Sequence, residues 1–245
     1  MATSPTAARE PFDFAGGLRF VFDDPDWIKK ILIGGLFSLL GMLLIGFVFV
    51  AGYVLRLTQR KAQGEPRPLP DWNDLGGIFS DGLKAVAVYL GHMMVILLPV
   101  GAIAVMLIMV ASLSSNSHGR GSDAAAGLMG LGIVGLYAII GIGSLLLAIY
   151  IPAPMLRLAL GASVGSAFDP RENLALIRRN IGNYALALVL YLLVSFLSQF
   201  GVLLCCVGAF PVSFWAMCVL GWSMGEVARH DPLLAVPGAS LAPTV

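Results

Sequence analysis

Long stretches of the chain carry no Asp, Glu, Lys or Arg, among them Ile31–Leu55, Ala85–Gly119 and Ile181–Gly225. A helix needs about 20 apolar residues to cross the hydrocarbon core of a bilayer, and these stretches are long enough. The pattern therefore predicts an all-α, polytopic helical membrane bundle of four or five spans. The apolar segments are expected at about 31–55, 84–113, 125–150, 182–206 and 208–226.

Short amphipathic helices are predicted ahead of three of these segments, within residues 12–30, 72–84 and 169–179. Asp24-Pro25 and Asp169-Pro170 each place an acceptor side chain before a proline, which is typical of a helix start. Glu172 makes the second of these signals a capping box, and Asp71 is expected to cap the helix between them. These interfacial helices should lie on the membrane surface, with their charged faces in water.

The composition excludes an ordinary water-soluble protein. Apolar residues make up 58% of the chain and charged residues 12%, against about 25% charged residues in a soluble domain. The mean hydropathy of +0.88 agrees with this interpretation. The net charge of +1 provides no basic surface to hold nucleic acid, so no nucleic-acid partner is expected.

The predicted organisation is one membrane domain over residues 12–230 between two disordered tails. The tails, 1–11 and 231–245, are rich in Ala, Pro and small polar residues. The three cysteines, Cys205, Cys206 and Cys218, lie in the apolar C-terminal third, where we expect them to pack as small apolar side chains.

No pattern in the chain is typical of a catalytic or cofactor site. There is no P-loop, no dinucleotide-binding glycine motif and no Cys/His set with zinc spacing. Residues 161–165 match the G-x-S-x-G pattern around Ser163, but that motif requires a β-sheet. Close helix packing is the expected role of these glycines and of Gly221 and Gly225. We therefore predict no catalytic residue, no metal and no cofactor.

The distribution of Lys and Arg leaves two arrangements open for the first apolar segment, 31–55. If all five segments cross, ten of the 15 basic residues lie on one side and five on the other. If 31–55 turns back as a re-entrant hairpin, fourteen lie on one side and one on the other. Because its 25 residues make one comfortable span at about 1.5 Å each, the full crossing is preferred. Either arrangement, in a cell (inner) membrane, puts loop 114–123 outside and loop 157–181 in the cytoplasm.

Four polar side chains within the apolar segments are candidates for a ligand or transport site. They are His92, Gln199, Ser195 and Ser198. Polar residues inside a membrane usually face the bundle interior, and an ionisable one suggests function. Packing and hydrogen bonding between helices is the simpler explanation for all four, because His92 has no carboxylate near it in sequence.

Three basic residues on the third amphipathic helix are candidates for binding lipid head groups: Arg171, Arg178 and Arg179. Each contact of this kind is worth about 1 kcal/mol with an anionic lipid surface. A solvated basic face on the cytoplasmic side is the alternative explanation.

Several short motifs in the first 84 residues resemble one family. They are DPDWIKKILIGG at 24–35, GY at 52–53, Gly64, LPDW at 69–72 and FSDGLK at 79–84. In combination they are similar to a family of prokaryotic membrane proteins, domain of unknown function 4013, over roughly residues 12–229. The resemblance implies a multi-pass helical protein. It implies no catalytic or binding residue, because the family has no assigned activity.

Taken together, the sequence favours a non-enzymatic membrane scaffold or a protein that binds lipids or a membrane-protein partner. The expected partners are membrane lipids and either another membrane protein or a second copy of the chain. A small-solute or ion transporter with a polar site between helices is the alternative. An intramembrane enzyme lacks a nucleophile–base pair.

Overall fold

The computed structural model describes residues 11–114, 121–203 and 208–234, and every regular element in these ranges is helical. The all-α fold class is therefore confirmed. The helices are α1 (Phe14–Arg19), α2 (Trp27–Leu40), α3 (Ile45–Ala62), α4 (Leu75–Ser114), α5 (Gly121–Tyr150), α6 (Pro152–Ala159), α7 (Pro170–Arg179), α8 (Ile181–Ser198) and α9 (Ala209–His230). Most of both predicted tails, the core of loop 114–123, and Cys205 and Cys206 lie outside the described residues.

Three helical stretches in the described ranges are long and apolar enough to cross a membrane. They cover Leu75–Ser112, Met129–Ala159 and Ile181–Gly201. The first belongs to α4, which runs unbroken from the predicted surface helix into the predicted span. The apolar segments predicted at 31–55 and 208–226 are not among the three.

The first apolar segment is not the single crossing helix that its length predicted. α2 ends at Leu40, a 3₁₀ turn covers Gly41–Leu43, and α3 begins at Ile45. Between them Leu44 has φ of 64°, a left-handed conformation that leucine rarely adopts. The chain reverses there, so the prediction of one continuous helix is wrong and the segment forms a helical hairpin.

Close packing of the two helices explains the reversal. The rings of Phe37 in α2 and Phe49 in α3 stack with centroids 4.5 Å apart. Gly46 lies against the backbone of Phe37 and Gly41, where a side chain has no room. Glycine also lowers helix propensity by about 1 kcal/mol relative to alanine, so a segment with five glycines is easily interrupted.

Contacts divide the described chain into two compact units, where the sequence predicted one domain over 12–230. The first unit contains the described parts of residues 1–86 and 153–245, and the second is Ala87–Pro152. α9 forms the centre of the first unit, where it packs against α1, α2, α3 and α8. Twelve of its 22 residues are buried, which explains why it behaves as a core helix.

Two glycine predictions have opposite outcomes in the first unit. Gly221 and Gly225 of α9 lie directly against α3, where added Cβ atoms would meet Leu57 and Lys61. The predicted close packing is confirmed at this pair. Gly161 and Gly165 lie outside any α-helix, and a Cβ atom added at either position would have nothing within 4 Å. The same prediction is therefore wrong for them.

The second unit consists of the apolar part of α4 and of α5, which run antiparallel. Leu107 of α4 packs on Gly132 of α5, and Ile96 of α4 packs on Gly143 of α5. Outward-facing residues on both helices are large and apolar, such as Val95, which is 72% exposed.

Of the three predicted N-cap residues, one is confirmed and two are replaced by a nearby residue. Asp169 accepts a hydrogen bond from the Arg171 N–H at 2.9 Å and precedes Pro170, so this cap is confirmed. At α4 the cap is Asp74, which accepts from the Gly77 N–H at 3.0 Å, and Asp71 instead forms an ion pair. Asp24 does not cap α2, because that helix begins only at Trp27 with Asp26 before it. The Asp24 carboxylate instead accepts the Asp26 N–H at 2.9 Å and pairs with Lys30.

Candidate lipid-facing surface and polar sites

The surface of the second unit has the chemistry of a lipid-facing surface. In the most apolar 18-residue windows of its two long helices, no residue is buried. Leu98, Ile108, Leu131 and Tyr137 are each more than 60% exposed. Monomeric soluble proteins rarely expose apolar patches this extensive. The second unit is therefore consistent with a membrane protein.

The tip of the α2–α3 hairpin in the first unit has the same character. Leu43 is 69% exposed, Leu44 80% and Ile45 63%. The apolar part of each arm, 31–40 and 45–55, ends where charged residues begin. The hairpin thus has an apolar tip and a charged base.

An ion pair of low exposure fixes the base of α2. The Lys30 ammonium lies 2.8 Å from Asp24 and 2.9 Å from Asp71. It also donates to the Leu69 carbonyl at 3.2 Å, and Trp72 Nε1 donates to the Lys30 carbonyl at 3.1 Å. Burial lowers the pKa of Lys30, but the two carboxylates outweigh this cost, and the pKa ends above its ordinary value.

Arg56 forms the second pair, at the base of α3. Its guanidinium lies 3.0 Å from Asp74 and 2.9 Å from Asp81. Lys84 reaches Asp81 from one helical turn away, at 3.1 Å. Arg56 therefore ties the last apolar turn of α3 to the first turns of α4.

Lys61 forms the third pair with Glu226 of α9, at 2.9 Å. The ammonium also lies 4.0 Å from the centre of the Trp222 ring, within the range of a cation–π interaction. Burial outweighs the attraction of Glu226, so the pKa of Lys61 is lower than its ordinary value. We call Lys30, Arg56 and Lys61, with their acidic partners, the ion-pair belt.

A cavity of ≈ 420 Å³ lies beside the belt within the first unit. α3 and α4 contribute its charged and polar wall, and α6 with the following loop contributes the rest. Its polar side is lined by Arg56, Gln59, Asp81, Lys84 and Ser163, and its apolar side by Leu55, Leu158 and Val164.

The structure gives His92 a packing position within the second unit. Its Nδ1 lies 2.8 Å from the carbonyl of Val88, one turn earlier in the same helix. Its ring packs on Tyr150 of α5 with centroids 5.4 Å apart. A second cavity lies between α4 and α5. His92 lines neither this cavity nor the one beside the ion-pair belt.

The other three candidates for a polar site do not share one environment. Ser198 is buried and its hydroxyl lies 2.8 Å from the Val194 carbonyl and 3.3 Å from the Val212 carbonyl of α9. Gln199 is exposed and begins a 3₁₀ turn, and Ser195 is half-buried. Ser198 thus joins α8 to α9, which is the packing role that the sequence also allowed.

The three arginines predicted to bind lipid head groups differ in their contacts. Arg171 and Arg178 are exposed on α7. Arg179 lies 3.3 Å from Asp231, whose fully buried carboxylate also accepts a hydrogen bond from Asn180 at 2.7 Å. Asp231 is therefore part of the folded structure, although the sequence placed it in a disordered tail.

The sequence did not single out the ion-pair belt as a site. Lys30 and Arg56 flank the first uncharged stretch, and acidic partners from distant segments, Asp71 and Asp81, reach them only in the fold. Lys61 and Glu226 are 165 positions apart, so no local spacing relates them. The local signals are two i,i+3 pairs of opposite charge, Asp81 with Lys84 and Glu226 with Arg229.

Comparison with known proteins identifies a family and no activity. A family model described as "Protein of unknown function (DUF4013)" matches residues 35–207. The match leaves out most of the motif at 24–35 that suggested the resemblance, and it includes the later motifs. No curated protein and no solved structure matches the chain. Since the matched residues cover well over half of the sequence, the chain belongs to the DUF4013 family.

Proposed function

We propose that the protein is a non-enzymatic scaffold of the cell membrane that binds lipids through the charged base of a re-entrant hairpin. The single observation that carries this proposal is the α2–α3 hairpin, whose exposed tip is apolar and whose base carries the ion-pair belt. The multi-pass arrangement, the inner membrane and the absence of catalysis are parts of the same proposal.

The dimensions of the hairpin support entry and return from one membrane face. The apolar arms, 31–40 and 45–55, contain ten and eleven residues. At about 1.5 Å per residue each arm is about 15 Å long, half of the ~30 Å hydrocarbon core. An arm of this length brings the tip to the bilayer midplane and leaves Lys30 and Arg56 at the head groups.

The distribution of basic residues supports the same arrangement. With the hairpin on the cytoplasmic side, fourteen of the 15 Lys and Arg residues lie in the cytoplasm, as the positive-inside rule favours. Next to the reversal, Gly46 is buried against the backbone of Phe37 and Leu40, which shields that part of the backbone as a membrane requires.

Transport of a small solute stays the alternative, and no contact described above favours it. Transport would require His92 and Gln199 to line a water-filled path. His92 instead contacts its own helix and Tyr150.

Cysteine labelling tests the proposal. Three single-cysteine variants, Asp23→Cys, Leu44→Cys and Arg67→Cys, are made with Cys205, Cys206 and Cys218 replaced by alanine. A membrane-impermeant maleimide should label positions 23 and 67 only in inverted vesicles, and should not label position 44 until detergent is added. Labelling of 23 and 67 from opposite sides would show a full crossing and overturn the hairpin proposal.

A further inference from the structure

The cavity beside the ion-pair belt combines one charged wall with one apolar wall. Arg56 and Lys84 line it together with Asp81, and Asp74 pairs with Arg56 from outside the lining. The lining itself therefore carries one positive charge in excess, and Lys84 is its more exposed basic group. A phosphodiester carries a single negative charge and accepts several hydrogen bonds, which suits this lining.

The two basic side chains retain donors for a ligand. Arg56 is held from two sides by Asp74 and Asp81, so the orientation of its guanidinium is fixed before anything binds. Lys84 is half-exposed and directs one of its three N–H donors at Asp81, at 3.1 Å. A phosphate oxygen that reached both groups would make charge-assisted hydrogen bonds.

The loop after α6 adds neutral polar groups on the opposite side. Gly161 has φ of 94°, and this left-handed turn leads into Ser163 and Val164, which both line the cavity. The Ser163 hydroxyl oxygen accepts the Ser166 N–H at 3.1 Å, which leaves its proton for a ligand oxygen. Gln59 of α3 is exposed and lies on the same lining.

The position of the cavity in the sequence pattern indicates an amphiphile rather than a free anion. Leu55 is the last residue of the first uncharged stretch and Arg56 follows it. Lys84 directly precedes the second uncharged stretch. These two boundaries between apolar and charged sequence thus meet at one cavity, whose half-buried Val164 can contact the start of an acyl chain.

We propose that this cavity is a phospholipid site, in which Lys84, Arg56 and Ser163 hold the phosphodiester of the head group. The site rests on the proposed function, because it requires the hairpin base to lie at the level of the head groups. It also gives the lipid binding of that function a defined position, distinct from the arginines of α7.

Native mass spectrometry of the full chain in detergent tests the site. The probe is palmitoyl-oleoyl phosphatidylglycerol, compared with the diacylglycerol that has the same chains and no phosphate. Wild type should bind the phospholipid at least about tenfold more tightly than the diacylglycerol. Lys84→Gln should weaken phospholipid binding about fivefold, as expected for one charge at a lipid surface. Ser163→Ala should weaken it by a smaller factor and provides a second variant on an exposed side chain.

Arg19→Gln is the matched control, since Arg19 is an exposed basic residue outside the cavity. Its phospholipid affinity should equal that of wild type. Equal losses in Lys84→Gln and Arg19→Gln, or equal binding of phospholipid and diacylglycerol, would overturn the proposal. Glycerol 3-phosphate should not displace the lipid at equal concentration; if it does, the site takes a soluble anion and the lipid assignment fails. The labelling pattern at positions 23, 44 and 67 is read separately, so a failed site and a failed hairpin are distinguished.

Discussion

The two units use the same apolar residue types in opposite ways. In the first unit α9 is surrounded by helices, and Phe214, Val219 and Val227 have no exposed surface. In the second unit α4 and α5 contact each other along one face and expose Val95, Leu131 and Tyr137 on others. The first unit buries the apolar side chains of α9 in protein, and the second presents most of its apolar side chains to its surroundings.

This difference indicates where the stability of each unit comes from. The packing of α9 and ion pairs such as Lys61–Glu226 stabilise the first unit. The second unit buries few side chains, so we expect its stability to depend on an apolar environment. The four tryptophans, Trp27, Trp72, Trp215 and Trp222, all lie in the first unit, so tryptophan fluorescence reports on that unit alone.

Truncating one aromatic ring in each unit should give the largest contrast. Phe214 is fully buried, lies against Gly34 and has its ring centroid 5.2 Å from that of Tyr53. Phe214→Ala should therefore lower the free energy of unfolding by about 3–5 kcal/mol. Tyr137, 71% exposed in the second unit, is the control, and Tyr137→Ala should change it by less than about 0.5 kcal/mol. Thermal unfolding in detergent measures both, followed by tryptophan fluorescence for the first unit and by circular dichroism of the helices for the second. Equal shifts would contradict the division into a packed and an exposed unit.

Adding one methyl group at a glycine should sharpen the same comparison with a smaller effect. A Cβ on Gly52 of α3 would collide with the backbone of Ile78 and Gly82 in α4. Gly52→Ala should therefore cost about 1–3 kcal/mol through forced separation of the two helices. In Gly141→Ala nothing lies within 4 Å of the new methyl, and helix propensity favours alanine by up to about 1 kcal/mol.

The measurement for this pair combines helicity by circular dichroism with tryptophan fluorescence. Gly52→Ala should lower the midpoint in both signals. Gly141→Ala should leave the fluorescence midpoint unchanged and retain or raise helicity. A Gly52→Ala protein as stable as wild type would show that α3 and α4 do not approach as closely as described.

The sequence predicts the class of fold well because a long uncharged, apolar stretch indicates a helix that could cross a bilayer. α4 and α8 follow from that pattern almost without change, and the Asp169 cap follows from local chemistry. The hairpin does not, because its reversal at Leu44 depends on helix packing between residues such as Phe37 and Phe49. Length favoured a single span, and the bias of basic residues pointed to the reversal.

The polar sites are much harder to predict than the spans. His92 and Ser198 stand out in the sequence as polar groups among apolar ones, yet both contact carbonyls of their own helices. Lys30 and Lys61 look like ordinary boundary residues until folding brings acids from distant segments to them. Clusters that form only through tertiary contacts leave no spacing in the sequence to detect.

The smallest expected effect is the pH dependence of the ion-pair belt, which again separates the units. Between positions 87 and 152 the sequence has only two residues of the types Asp, Glu, Lys and Arg, namely Arg120 and Asp123. Titration of carboxylates in acid therefore acts mainly on the first unit. The hydrogen bond from Lys30 holds the pKa of Asp71 below its ordinary value. Because the folded state lowers this pKa, the ionised Asp71 carboxylate stabilises the protein at pH values above its ordinary pKa of about 3.9. The stabilisation is lost as the pH falls through the lower pKa of the folded state.

Asp71→Asn should therefore destabilise the first unit at pH 7 and converge with wild type in acid. The side chain of Asp71 is 59% exposed, so the difference at pH 7 should stay below about 1 kcal/mol. Fluorescence-detected unfolding between pH 7 and pH 3 measures it. Asp23→Asn is the control, because Asp23 is exposed and joins no ion pair among the described residues. Parallel curves for Asp71→Asn and wild type at every pH would mean that the Lys30–Asp71 contact contributes no pH-dependent free energy. The stability of the first unit would then rest on packing around α9 and on the buried partner, Asp24.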